Sequence, residues 1–98
     1  MTITKAQTQN GLELSLEGRL DTMTAPELEA EISKALPGAD SLVLDFAKLD
    51  YISSAGLRVL LSAHKQLSAK GGLRIVHVND IVQEVFEVTG FADILTIE

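Results

Sequence analysis

The apolar residues of this chain switch repeatedly between a period of two and a period of about 3.6, which restricts the possible folds more than any other feature. Leu12-Glu13-Leu14-Ser15-Leu16-Glu17 alternates, as a strand with one buried and one solvated face does. Leu28, Ile32, Ala35 and Leu36 then follow a helical period, opened by a capping box at Thr24-Ala25-Pro26-Glu27 and stopped by Pro37-Gly38. The short apolar run Leu42-Val43-Leu44-Asp45-Phe46 reads as a buried strand. Leu57, Leu60, Leu61 and Leu67 return to helical spacing in a helix from about Ser54 to Lys70, and Gly71-Gly72 stops it. A strand is predicted from Leu73 to Val78. A helix follows over Asp80 to Thr89 with a stripe of Ile81, Val82, Val85 and Phe86, and a short strand closes at Ile94 to Ile97. Met1 to Thr8 adds an edge strand, turning across Gln9-Asn10-Gly11 with its Asn-Gly signal. The order is ββαβαβαβ. Crossover helices between strands demand a largely parallel sheet, so the fold class is α/β with only the N-terminal hairpin antiparallel.

Ninety-eight residues suffice for one modest core, and with no linker or repeat the chain reads as a single domain over 1–98. Aromatics are only 4% of it, so that core must be built from Leu, Ile, Val and Ala. The net charge of -6 comes with scattered basic residues, which argues against nucleic acid as a direct partner. The absence of cysteine removes disulfide and thiolate chemistry and fits a cytosolic protein. No export signal or membrane span is visible.

Catalysis finds little support. Ile52 stands where a nucleophile elbow needs glycine, and the phosphate-loop pattern is missing. His64 and His77 read as half-buried structural histidines, the second within a strand. No His pair at helical i,i+4 spacing suggests a metal, and no cofactor is implied. A receiver domain is the nearest rival fold, but Asp45 and Asp50 lack the N-terminal acidic pair it requires.

The informative segment is Tyr51-Ile52-Ser53-Ser54-Ala55-Gly56-Leu57, where the strand region hands over to a helix. Its two hydroxyls lie at a helix N-terminus, which favours a nearby anion. A serine there is a helix cap, a phosphorylation site, or both. Glycine in a first helical turn is costly, so Gly56 suggests close approach by another molecule.

That segment, with Val43-Leu44-Asp45-Phe46 before it and Gly71-Gly72-Leu73-Arg74-Ile75-Val76 after it, resembles the signature of the STAS domain, the module of bacterial anti-sigma-factor antagonists. Glu17-Gly18-Arg19-Leu20-Asp21-Thr22-Met23-Thr24-Ala25 is similar to the family's glycine-x-leucine-aspartate loop, and Val85-Phe86-Glu87-Val88-Thr89-Gly90-Phe91 to its closing helix. The resemblance covers essentially the whole chain. It implies a cytoplasmic binding protein regulated by phosphorylation at Ser54, with Ser53 as the runner-up. The kinase would be an anti-sigma factor that is also an ATP-dependent serine kinase. Unphosphorylated antagonist binds this partner and frees the sigma factor to act in transcription, and a PPM-type serine phosphatase resets the cycle. The implied partner surface comprises Asp21, Thr22, Ser53, Ser54, Ala55, Gly56 and Asn79. The family often has aspartate where Ser53 stands, which removes a charge beside the target. Two other readings keep the fold: a STAS scaffold or accessory subunit of a transporter or sensory complex, and a small nucleotide-binding module.

Overall fold

Five strands and three α-helices alternate in the expected order in the computed structural model, which describes residues 1–9 and 11–98. The strands are β1 (Thr2–Gln7), β2 (Leu12–Leu20), β3 (Ser41–Ile52), β4 (Gly72–Val76) and β5 (Thr96–Ile97). The helices are α1 (Ala25–Ala35), α2 (Ser54–Leu67) and α3 (Asp80–Thr89), with short 3-10 turns at Leu36–Gly38 and Phe91–Asp93. The sheet runs β1-β2-β3-β4-β5, antiparallel only between β1 and β2. The Asn-Gly turn falls on Asn10, outside the described residues, although the Thr8 N–H donates to the Gly11 carbonyl at 2.9 Å.

All three helices share one core with one face of the sheet. Leu14, Leu16, Leu42, Leu44, Leu73 and Ile75 meet Leu28, Ile32, Leu57, Leu60, Leu67, Val82 and Phe86 in a single cluster. It is aliphatic except for Phe46 and Phe86, whose stacked rings lie 6.4 Å apart. The opposite sheet face carries Glu13, Ser15, Val43, Asp45, Arg74 and Val76, none of them buried.

β3 is much longer than the apolar run at 42–46 suggests. Two register shifts explain the difference: Ser15 to Glu17 on β2 faces Asp45 to Lys48, and Gly18 to Arg19 faces Leu49 to Tyr51. Each bulge adds one residue to β3 and flips which parity points inward. The buried positions therefore run Leu42, Leu44, Phe46, Leu49, Ile52. The simple alternation fails after Phe46, but the strand continues to within one residue of α2.

Other boundaries move for local reasons. β4 ends at Val76 because His77 adopts φ 59, so this histidine is an exposed left-handed residue and not a half-buried strand position. Gly90, also left-handed at φ 83, ends α3. The closing strand keeps only Thr96 and Ile97, the residues before it being taken by the second 3-10 turn and its end at Ile94. α2 stops at Leu67, three residues before Lys70.

Candidate functional site

The C-terminal ends of β2 and β3 lie side by side, since Leu20 pairs with Ile52 and the Ser53 N–H extends the ladder to the Leu20 carbonyl at 2.8 Å. This register brings the loop after β2 against the start of α2.

Asp21 organises that loop. Its Oδ1 accepts the Met23 N–H at 3.0 Å and the Thr24 N–H at 3.1 Å, and its carbonyl accepts the Ala25 N–H at 2.8 Å. The Thr24 N–H does most to hold the Asp21 carboxyl below its ordinary pKa. The Met23 N–H, the Thr24 hydroxyl and the Arg19 guanidinium add to this, and partial desolvation opposes it. The expected capping box is absent. Thr24 has helical backbone angles and caps nothing; its hydroxyl accepts the Asp21 N–H at 2.9 Å and donates to the Arg19 carbonyl at 2.7 Å. The Ala25 N–H that opens α1 goes to the Asp21 carbonyl, and the Glu27 N–H to the Thr24 carbonyl at 2.9 Å. Arg19 lies over the Tyr51 ring at 4.8 Å, continuing the same rim across the two strands.

The two serines differ sharply. Ser53 is the N-cap of α2, with extended angles and a carbonyl that accepts the Leu57 N–H at 3.0 Å. Its side chain forms no cap bond, and its Oγ is buried with no hydrogen-bond partner among the described residues. Ser54 is the first helical residue and is exposed. No acidic residue occupies the first turn of α2. The positive end of this 14-residue helix thus carries no acidic side chain of its own first turn beside the exposed Ser54.

Next to Ser54, Thr22, Ala25, Pro26, Glu29, Ala55, Arg58 and Val59 line a shallow groove of about 280 Å³ between α1 and α2. Asp21, Thr22, Ser53, Ser54 and Ala55 are therefore neighbours.

Gly56 and Asn79 have other duties. Gly56 is buried, and a Cβ there would lie 2.6 Å from Leu20 Cγ and 2.9 Å from Ile52 Cγ1. The glycine answers to the domain's own strands, and close packing within the fold replaces the expected approach of another molecule. Asn79 caps α3, accepting the Val82 N–H at 2.8 Å, while its amide donates to the Leu49 carbonyl at 2.8 Å. Leu49 is three residues before Ile52, about 10 Å back along the strand. Sequence reasoning placed Met23 in the loop motif without assigning it to the partner surface, yet its side chain is 83% exposed between Thr22 and Thr24. The available signal was an apolar residue alone in a polar loop.

His64 is half-buried in α2, as expected, and Leu57 is in the core. His77 Nδ1 lies 2.9 Å from Asp45 Oδ1 on the open sheet face. Burial tends to raise the Asp45 pKa, but the Ala47 N–H, His77 and Lys48 outweigh it and leave the carboxyl lowered. Among the described residues, no helix is long and apolar enough to cross a membrane.

Comparison with known proteins gives concordant matches. The family model described as "Mlab, STAS domain" matches residues 3–96. BtrV of Bordetella bronchiseptica, described as a candidate anti-sigma factor antagonist, is 43% identical over 84% of this chain and 72% of its own. The anti-sigma-B factor antagonist of Bacillus subtilis is 30% identical over 93% of this chain and 84% of its own. Among solved structures, the unphosphorylated anti-sigma factor antagonist SpoIIAA superposes with a TM-score of 0.83 at 20% identity, covering 99% of this chain and 88% of that one. Its phosphorylated form, from Bacillus, gives 0.75 at 20% identity, covering 99% and 91%.

Proposed function

We propose that this chain, which belongs to the STAS-domain family of anti-sigma-factor antagonists, is a single-domain binding protein switched by phosphorylation of Ser54. Unphosphorylated, it binds an anti-sigma factor that is also an ATP-dependent serine kinase, and so releases the sigma factor. A PPM-type phosphatase restores the binding form. The protein acts in the cytoplasm and catalyses nothing itself.

The observation that carries this reading is the contrast between the adjacent hydroxyls: Ser54 is exposed at the start of α2, whereas Ser53 Oγ is buried. A kinase needs an accessible oxygen, and of the two serines Ser54 is the exposed one, which supports it as the target. A phosphate there adds about -1.5 to -2 charges at a helix end whose dipole favours them, so the domain tolerates the group. The same charge and bulk on the partner-facing rim obstruct a fitted interface. Asp21, Thr22, Ala55 and the exposed Met23 complete that surface, with Asp21 as its fixed negative charge. SpoIIAA, whose fold this chain shares, has been solved in phosphorylated and unphosphorylated forms, which supports a switch of this type.

The test is to incubate the protein with its purified anti-sigma factor and ATP, then map phosphate by mass spectrometry. Ser54→Ala should take up none and still bind. Ser54→Asp should stay folded yet bind at least about 30-fold more weakly, corresponding to roughly 2 kcal/mol or more at an interface charge. Phosphate on Ser53 would move the switch by one residue. Undiminished binding by Ser54→Asp would remove α2 from the interface.

A further inference from the structure

α3 meets the core through Val82 and Phe86, both fully buried, but the flank beside them is also apolar. Ile81 is 60% exposed and Val88 80% exposed, with half-buried Val85 between them. At positions i, i+4 and i+7 these side chains form one stripe along the helix. From Ile81 to Val88 it extends about 10 Å, two turns of a partner helix. Asp80, Glu84 and Glu87 border it on the solvent side, and Asp93 follows just beyond the helix. Residues 78–98 include these four carboxylates and Glu98, and no Lys, Arg or His. Among the described residues Glu98 pairs with Arg74, while Asp80, Glu84, Glu87 and Asp93 have no ion-pair partner. None of the stripe residues lines the groove beside Ser54.

We propose that this stripe is a second docking surface, for a protein segment presenting apolar side chains flanked by lysine or arginine. The signs of charge select this occupant. An anionic lipid surface or a nucleic acid would be repelled by the acidic border. A second copy of the same face would press unpaired carboxylates against one another with no cation between them. A cationic apolar segment covers Ile81, Val85 and Val88 while neutralising Glu84 and Glu87. This surface is independent of the state of Ser54, so the domain can stay attached to one protein while exchanging another.

The probe is a synthetic helical peptide with a leucine stripe flanked by lysines, together with a sister peptide carrying glutamate at the lysine positions. Each is titrated into the isotope-labelled protein and followed by amide chemical shifts. The lysine peptide should perturb residues 80–88 selectively, and the glutamate peptide should not bind. The double variant Ile81→Ser/Val88→Ser should weaken binding at least ten-fold, and Glu84→Lys/Glu87→Lys should abolish it. Ser54→Asp should bind like the wild type. All substituted positions are exposed, and matching thermal melts check that each variant is folded. The proposal is overturned if shifts spread over the whole acidic surface and Ile81→Ser/Val88→Ser binds as well as wild type, since charge alone would then explain binding. Binding of the glutamate peptide, loss of binding in Ser54→Asp, or self-association removed by Ile81→Ser/Val88→Ser would overturn it equally.

Discussion

The N-termini of α2 and α3 both follow parallel strands, and both have caps with extended backbone, yet they are finished in opposite ways. At α3 the Asn79 side chain closes the helix end by accepting the Val82 N–H and fastens it to β3 through the Leu49 carbonyl. At α2 the Ser53 hydroxyl is turned inward without a partner, and the first turn carries no acid. Asn79 makes a structural joint. The start of α2 has neither a side-chain cap bond nor an acid in its first turn, which suits the phosphorylation proposed for Ser54.

The largest expected effect breaks the closed joint. Asn79→Ala removes a cap and leaves the Leu49 carbonyl without its donor, so stability should fall by roughly 2–4 kcal/mol in a chemical denaturation series. Partner affinity at the Ser54 surface should stay within about two-fold once the variant is held at a temperature where it is folded. A large loss of affinity instead would make Asn79 a contact residue.

A smaller effect separates internal fit from partner fit at Gly56. A methyl group there intrudes on Leu20 and Ile52, an overpacking cost of about 1–3 kcal/mol that the better helix propensity of alanine only partly offsets. Gly56→Ala should therefore melt lower. If it melts at or above the wild-type temperature but loses its partner, the glycine serves the interface after all.

The smallest effect sharpens the contrast between the caps. Because Ser53 Oγ has no partner, Ser53→Ala should change stability by less than about 0.5 kcal/mol, against about 1 kcal/mol for an ordinary serine cap. A full cap-sized loss would show that the hydroxyl serves the α2 N–H groups.

The element order was legible because its signal is redundant: periodicity, breakers and the hairpin all indicated ββαβαβαβ. The length of β3 was not, since bulges beside Ala47 and Asp50 shift the buried parity and look like the end of a strand. The capping box at Thr24 failed for a related reason. The motif records which side chains can cap a helix, whereas here Asp21 Oδ1 takes the Met23 and Thr24 N–H groups in the turn before the helix, and the Glu27 N–H goes to the Thr24 carbonyl. Ser54 and its neighbours could be located from the chain, but the burial of Ser53 and the exposure of Met23 depend on how β2 and the α2 end dock. The internal reason for Gly56 was not visible in the chain, because the obstructing Leu20 lies 36 residues away.

The sequential strand order also bears on how the molecule forms. Each new strand joins the outer edge of the one before it, so no strand must be inserted between two already paired. Every parallel pairing encloses only one crossover helix, which keeps contacting residues close along the chain and favours fast folding for a sheet of this kind. The rim around Ser54 draws on residues 12–67, all of them N-terminal to α3. During synthesis the region around Ser54 can therefore take shape while the acidic helix is still emerging, and α3 then closes the core against a rim already in place.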